Sequence, residues 1–316
     1  MRDLPLYNQA MEKRSVAERL HQGVAWLLFI GFLCLTACAA SSSAAQSGAE
    51  TGSGAAPAAS AAEGVSGEKQ ELLLLPEASG TVVYEGNGVV IDASHTDQGY
   101  VMVRCEPSEK RLKARVSTNE QTYYYDLLGG EDYSVFPLQM GSGTYTVRVM
   151  EQVEDDLYAM RYGVDIEVAL SSETVPFLYP NQYVWYDADT KTVQKARELA
   201  EGLSGDTEIA DRFYRFVVQH MRYDTVKAAT VPKGYLPSVD EALDTGKGIC
   251  FDYAALLAAM LRSSGIPARM LIGTVTPENL YHSWNSVYLD GEWVWMDPTL
   301  DGTGHKESDY LIERVY

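Results

Sequence analysis

Cys250, His282 and Asp297 are the residues whose types and spacing could do chemistry. Gly246-Lys247-Gly248-Ile249-Cys250 runs directly into Phe251-Asp252-Tyr253-Ala254-Ala255-Leu256-Leu257-Ala258-Ala259-Met260-Leu261-Arg262. Tyr253, Leu257, Met260 and Leu261 recur at the spacing of one buried helix face, and Ser264-Gly265-Ile266-Pro267 supplies the stop. Cys250 is therefore expected in the first turn of a buried helix. There, unpaired backbone N–H groups and the positive end of the helix dipole favour a thiolate, the form of cysteine that acts as a nucleophile. Downstream, Ala268 to Val275 predicts a strand, and His282–Leu289 and Glu292–Asp297 predict a hairpin joined by Asp290-Gly291. A turn centred on that dipeptide sets Trp284 opposite Asp297, and His282, two residues away on the same face, diagonal to it. Diagonal neighbours lie about 7–8 Å apart, within reach of an imidazole and a carboxylate. Val287, Leu289, Val294 and Met296 make the other face apolar too, so the hairpin is expected to be buried on both sides.

With these roles, His282 takes the thiol proton, Cys250 attacks an amide or ester carbonyl, and Asp297 fixes the imidazole tautomer. The Cys250 backbone N–H is a candidate oxyanion donor. Water as acceptor gives a peptidase or amidase and an amine gives an acyl transferase; the motif residues leave this open. Asp252 reads as a cap that compensates the helix dipole rather than as a catalyst. Trp284, Trp293 and Trp295 suit either a substrate groove or sheet packing, with Trp284 and Trp295 the candidates for substrate contact. His21, His95, His220 and His305 show no partner pattern. No calcium loop of the EF-hand kind occurs, and neither metal nor cofactor is expected.

The elements that position these residues begin well upstream. From Gly80 to Leu170, short runs alternate apolar with polar residues between turn signals. They are Thr81–Tyr84, Gly88–Ile91, Tyr100–Val103, Leu112–Val116, Thr122–Tyr125, Tyr133–Phe136, Thr144–Val149 and Val164–Val168. Strands at this spacing predict a β-sandwich. The many tyrosines are read as strand formers in preference to a binding face. An aromatic, proline-containing link over 175–186 leads to helical territory. Lys195 to Leu203 predicts a short helix, and Asp206 is expected to cap a longer one with Ile209, Phe213, Phe216, Val217 and Met221 on one face. Ser238-x-x-Glu241 is a capping-box pattern for a brief helix ending at Gly246.

The chain has 316 residues, 46% of them hydrophobic, which is enough for two ordinary domains with a real core. Its net charge of -19 provides no basic patch for phosphates and argues against nucleic-acid binding. Of four cysteines, Cys34 and Cys38 lie in or beside an apolar N-terminal run, leaving Cys105 and Cys250. That is neither a disulfide framework nor a metal-ligand spacing, and Cys105, in a strand-like run, reads as a buried inert thiol. Val24 to Ala37 has the length of a signal-peptide core, preceded by Lys13, Arg14 and Arg19. Leu35-Thr36-Ala37-Cys38 resembles the lipobox of bacterial lipoproteins, which implies diacylated Cys38 as the first mature residue. The Ala, Ser, Gly, Glu and Thr composition from 39 onward predicts a disordered tether with a reach on the order of 30 Å. The expected organisation is a lipoprotein signal peptide over 1–38, a linker over 39–70, a β-sandwich-like domain over 71–175 and a catalytic domain over 176–316. This places the protein on the extracytoplasmic face of a cell membrane, with peptide or protein substrates, those of the cell wall included.

The Gly248–Ala254 stretch (Gly-x-Cys-x-Asp-Tyr-Ala), Gly265–Arg269, His282-x-Trp284 and Trp295-Met296-Asp297-Pro298-Thr299 together resemble the transglutaminase-like superfamily. The resemblance covers roughly Lys195 to Glu313. It implies a papain-like α+β core in which a cysteine-bearing helix packs on an antiparallel sheet. It also implies Cys250 as nucleophile, His282 as general base and acid, and Asp297 as orienter. The β-domain and anchor are similar to those of secreted bacterial members. Three functions follow: a cysteine hydrolase of peptide or protein amides, a protein cross-linking acyl transferase, or a catalytically silent surface-binding protein. The intact trio argues against the last.

Overall fold

The structure is a computed structural model that describes residues 73–316. The expected signal peptide, lipidated Cys38 and linker over 39–70 lie outside the described residues.

Alternation of apolar and polar side chains builds the first unit. Its strands are β1 (Val83–Gly86), β2 (Val89–Asp92), β3 (Tyr100–Cys105), β4 (Leu112–Ser117), β5 (Thr122–Leu127), β6 (Ser134–Pro137), β7 (Gly143–Glu154) and β8 (Leu157–Val168). In β4, Leu112, Ala114 and Val116 are buried while Lys113 and Arg115 between them are not. The strands form two antiparallel sheets, ordered β1-β2-β3-β6 and β5-β4-β7-β8, so an all-β region precedes the helices. Ile91, Val101 and Val103 of one sheet share a core with Ala114, Val147 and Val149 of the other. Cys105 is buried in that core, and burial raises its thiol above the ordinary value, as suits an inert cysteine. Each expected run falls on one of these strands. Strand β8, however, begins at Leu157 rather than Val164, because pairing with the full length of β7 extends it past the residues whose pattern announces it.

The second unit contains α1 (Lys191–Ala200), α2 (Asp206–His220), α3 (Thr225–Thr230), α4 (Val239–Thr245) and α5 (Cys250–Ser263). Its strands are the two-residue pieces β9 (Arg222–Tyr223) and β10 (Lys247–Gly248), then β11 (Ala268–Val275), β12 (Leu280–Leu289), β13 (Glu292–Met296) and β14 (Tyr310–Val315). The last four form an antiparallel sheet in the order β13-β12-β11-β14. Helix α5 packs on β11 and β12 from one side and is covered by α1, α2 and α4 on the other. This is the α+β core expected from the sequence.

Three local expectations are corrected. Helix α5 does not bury one face; every residue from Asp252 to Ser263 is buried. Ala254, Ala255, Ala258 and Ala259 let both the sheet and the helices approach its axis, so the helix is covered all round. Helix α1 starts at Lys191, not Lys195, because its open N-terminus is capped from a distance. Asp240 of α4 accepts from the Lys191 N–H at 3.0 Å and from the Thr192 N–H at 2.9 Å. The N-cap of α2 is Gly205; Asp206 is the first helical residue, with its charge in the first turn. Ser238 caps α4 as expected, accepting from the Glu241 N–H, and Gly246 closes it with φ 61°.

The two units share one continuous core. At the junction the Tyr183 and Tyr316 rings lie 4.1 Å apart, with Tyr123 and Tyr125 beside Tyr316 at 5.5 and 6.1 Å. Several of the tyrosines that read as strand formers thus serve as packing between sandwich and core. Arg262, at the end of α5, is fully buried and donates to the carbonyl oxygens of Ala268, Tyr179 and Tyr316 at 2.8, 2.9 and 2.9 Å. Burial lowers its guanidinium to about 10, and the three carbonyls satisfy the donors that burial removes from water. One side chain therefore ties the cysteine-bearing helix to the inter-unit link and to β14.

Candidate active site

Cys250 is the first residue of α5, with Ile249 as N-cap, and its thiol is partly exposed. The Asp252 and Tyr253 N–H groups both donate to the Ile249 carbonyl, while the Cys250 N–H, at the very start of the helix, has no carbonyl one turn back. Asp252, in that same turn, is 1% exposed and accepts from the Ile249 N–H at 2.8 Å, the capping role expected for it. It does more than cap. The Tyr235 hydroxyl donates to its Oδ1 at 2.5 Å, and Lys227 Nζ stands 3.0 Å from Oδ2. A Cβ at Gly248 would meet Asp252 Cβ at 2.5 Å, so the backbone before Cys250 must be glycine for the carboxylate to sit there. The segment holding α3 is thereby pinned to the start of α5. Lys227 and Tyr235 carry no motif, and sequence alone gave no signal for them.

The hairpin has the expected register. Asn285 pairs with Met296 and Leu289 with Glu292, and Asp290 and Gly291 both have positive φ, 52° and 91°, as a tight two-residue turn requires. His282 Nε2 donates to Asp297 Oδ2 at 2.7 Å, both side chains being buried. The imidazole also interacts with Cys250, which helps to hold its proton. The structure therefore joins His282 directly to Asp297, with Cys250 near enough to the imidazole to interact with it. Burial on its own would push the His282 imidazole down. Hydrogen bonds to Asp297 and Cys250, and the charges of both, outweigh it and raise the ring to about 9.

Asp297 is saturated with donors. Oδ1 accepts from the Thr299 and Leu300 N–H groups at 2.9 and 3.0 Å, while Oδ2 accepts from His282 and from the Tyr310 hydroxyl at 2.8 Å. Tyr310 is a residue that sequence reasoning missed. It lies on β14, whose Leu311 to Arg314 are exposed and lack a buried-strand pattern, so nothing local marks it. Tyr214 of α2 was likewise unforeseen; its hydroxyl lies 3.0 Å from the Asp297 carbonyl oxygen and 2.9 Å from Asp301 Oδ1.

Trp284 is corrected from substrate contact to packing. It is 1% exposed, its ring parallel to His282 within 12° at 6.1 Å and edge-on to Tyr310 at 4.9 Å. It backs the imidazole because its strand is covered on both faces. Trp295 is half-buried and also packs edge-on against Tyr310, at 4.9 Å. Trp293 carries the Arg269 guanidinium 3.6 Å above its ring, a packing role. Two other aromatics stand by the thiol in the open. Tyr223 is paired through β9 with Gly248, two residues before Cys250, and Tyr281 precedes His282. They are 39% and 66% exposed. Burial raises the Tyr223 phenol to about 12, with the Cys250 charge adding to it. Tyr281 is raised by burial, Glu313 and Cys250 in turn.

The chain matches the profile of the transglutaminase-like superfamily over residues 193–298, which contain Cys250, His282 and Asp297. This region is a transglutaminase-like domain. Partial matches are found among solved structures. A candidate cysteine protease from Cytophaga hutchinsonii is 16% identical at a TM-score of 0.41, over 67% of this chain and 73% of that one. The periplasmic domain of TgpA from Pseudomonas aeruginosa is 17% identical at a TM-score of 0.32, over 69% of this chain and 95% of that one. Red sea bream transglutaminase is 12% identical at a TM-score of 0.27, over 66% of this chain and 48% of that one. No curated protein matches the sequence. The transglutaminase-like domain covers α1 to β13 except the start of α1, so β14 and Tyr310 fall beyond the matched segment.

Proposed function

We propose that the protein is a cysteine-nucleophile acyl-transfer enzyme that hydrolyses amide bonds of peptides or proteins. The observation that carries this reading is the chain from Cys250 through His282 to a fully hydrogen-bonded Asp297. An imidazole raised to about 9 is protonated at neutral pH, so His282 meets the substrate as an imidazolium. Cys250 sulfur attacks the carbonyl carbon, and the oxyanion is met by the Cys250 backbone N–H at the start of α5. As the tetrahedral species collapses, His282 gives its proton to the leaving amine and the C–N bond breaks, leaving a thioester on Cys250. His282, now neutral, takes a proton from water as the water oxygen attacks the thioester; the C–S bond then breaks, the acid departs and the sulfur is left beside the reprotonated imidazole. Tyr223 and Tyr281 flank the sulfur and supply apolar walls for the substrate chain.

Transfer to an amine is the second reading, favoured by the family match itself. Incubation with a glutamine-containing peptide library, with and without a primary amine such as cadaverine, separates the two. The hydrolytic reading expects free acid as the product in both mixtures. Amine adducts as the main product would replace it with cross-linking, and no turnover in either would leave a silent binding protein.

We also infer that Cys38 is diacylated and holds the domains on the extracytoplasmic face of a membrane, from the Leu35-Thr36-Ala37-Cys38 pattern and the basic flank before it. Among the described residues, no helix is long and apolar enough to cross a membrane. Mass spectrometry of the membrane fraction is expected to find a lipid-modified mature N-terminus at Cys38; a start elsewhere would sink the anchor.

A further inference from the structure

Among candidates outside the three central residues, the open cleft lined by Trp185 and Asp240 has its Asp240 carboxylate already occupied in capping α1. The cavity of about 550 Å³ beside the ends of β1, β2 and β3 is lined by three glutamates and an arginine and points to no one ligand chemistry. The Asp297 surroundings carry more. We propose that Tyr310 is a positioning residue for the acyl-transfer machinery, its hydroxyl fixing the single carboxylate oxygen that receives His282. This rests on the acyl-transfer reading above.

The geometry is specific. Tyr310 Oη and His282 Nε2 reach the same oxygen, Oδ2, at 2.8 and 2.7 Å, while Oδ1 is taken by two backbone N–H groups. Those backbone donors fix one end of the carboxylate, and the phenol fixes the other. The Tyr310 ring is itself held. Trp284 and Trp295 each pack edge-on against it at 4.9 Å, and its strand is anchored to β11 through the Val275 pairing. At its far end β14 meets the β-sandwich, where the Val315 carbonyl accepts from Gln139 at 3.3 Å and the Val315 N–H donates to the Tyr123 hydroxyl at 3.3 Å. Docking of the two units thus places the strand that delivers the hydroxyl.

A donor on Oδ2 also spreads the carboxylate charge that would otherwise bear on His282 alone. The ionisable groups facing the pair are Cys250 from α5 and Tyr310 from β14. Beyond them, His305 lies against the Tyr310 ring beside Glu278, and Asp301 reaches the Asp297 backbone through Tyr214. Removing only the phenol oxygen therefore leaves Asp297 in place and concentrates its charge on the imidazolium.

The test is an NMR titration of the His282 ring nitrogens in full-length protein without substrate, with amide hydrolysis followed over the same pH range. Tyr310→Phe is expected to raise the titration midpoint by about half to one unit, because one charge-assisted hydrogen bond is removed from the partner carboxylate. The turnover profile should shift the same way, with kcat lowered several-fold and KM little changed. Leu311→Ala, at an exposed position of β14 beside Tyr310, changes neither the ring nor the hydroxyl and should leave the midpoint alone. Incorporating 3-fluorotyrosine at 310 keeps the native shape, makes the phenol a better donor and should move the midpoint down. An unmoved midpoint in Tyr310→Phe and the fluorinated protein, or an equal shift in Leu311→Ala, would overturn the proposal. Should Cys250→Ala retain full turnover, the functional reading fails while the titration still reports on Tyr310.

Discussion

Replacing Cys250 by alanine is expected to lower amide or ester turnover by about 10⁴-fold or more while leaving the fold intact. The magnitude follows from what nucleophile removal does in triad enzymes, where the remaining groups act as a unit and retain only the contribution of binding and oxyanion stabilisation. The fold should tolerate the change because the sulfur is partly exposed at a helix start, and alanine is the best helix former. Cys250→Ala should therefore unfold at nearly the same urea concentration as the native protein, and iodoacetamide should lose its fast site. Cys105 is no substitute, being buried with its thiol raised by desolvation. Retained turnover in the alanine variant would mean that a different group attacks the substrate.

Asp297→Asn is the second large effect expected, a loss of about 10³–10⁴-fold in kcat. The substitution looks conservative, and it is not, because all four donors around Asp297 require acceptors. Thr299 and Leu300 N–H groups take one oxygen, and His282 and Tyr310 take the other. An asparagine offers one carbonyl oxygen and one NH₂ group. If the oxygen stays with the backbone donors, the NH₂ faces His282 Nε2 and selects the tautomer that carries its proton on Nδ1. That tautomer cannot accept a proton from Cys250. The pH dependence also moves. Burial lowers His282, and in the variant it is opposed by the Cys250 interactions alone, so the ring titrates below its native value of about 9. Native turnover should fall as pH rises through about 9, where the acid that protonates the leaving amine is lost; the residual activity of the variant should fall earlier.

The same shift has a sign for stability. The folded value lies above the ordinary 6.5, so the protonated ring contributes stability that is complete below about pH 6.5 and lost as pH rises through about 9. Native protein should lose melting temperature across that window, and Asp297→Asn should lose less. An equal loss in both would show that another group governs the alkaline side.

The parts of this site that could be read from sequence were those fixed by local signals. The Asp290-Gly291 turn determines hairpin register, because both residues adopt positive φ and the pairing then follows two by two to Asn285 and Met296. Register in turn put His282 within reach of Asp297. Cys250 at a helix start was legible because Gly248 and the Ser264-Gly265-Ile266-Pro267 stop bracket the helix. What was not legible depends on contacts between distant segments. Asp240 starts α1 from almost fifty positions away, Lys227 and Tyr235 close on Asp252 from a segment without a motif, and Tyr310 reaches Asp297 from an edge strand with mostly exposed residues. Trp284 went the other way. A tryptophan beside a histidine reads as a substrate wall, yet burial on both faces of β12 makes it the support behind the ring.

The central claim is that Cys250 becomes acylated with help from the His282–Asp297 pair, and intact-protein mass spectrometry after rapid mixing with p-nitrophenyl acetate tests it directly. The account predicts a stoichiometric acetyl adduct on the peptide that contains Cys250, formed in a burst by native protein, slowly by Asp297→Asn and not at all by Cys250→Ala. An adduct on any other residue, or a burst that survives Cys250→Ala, would contradict it.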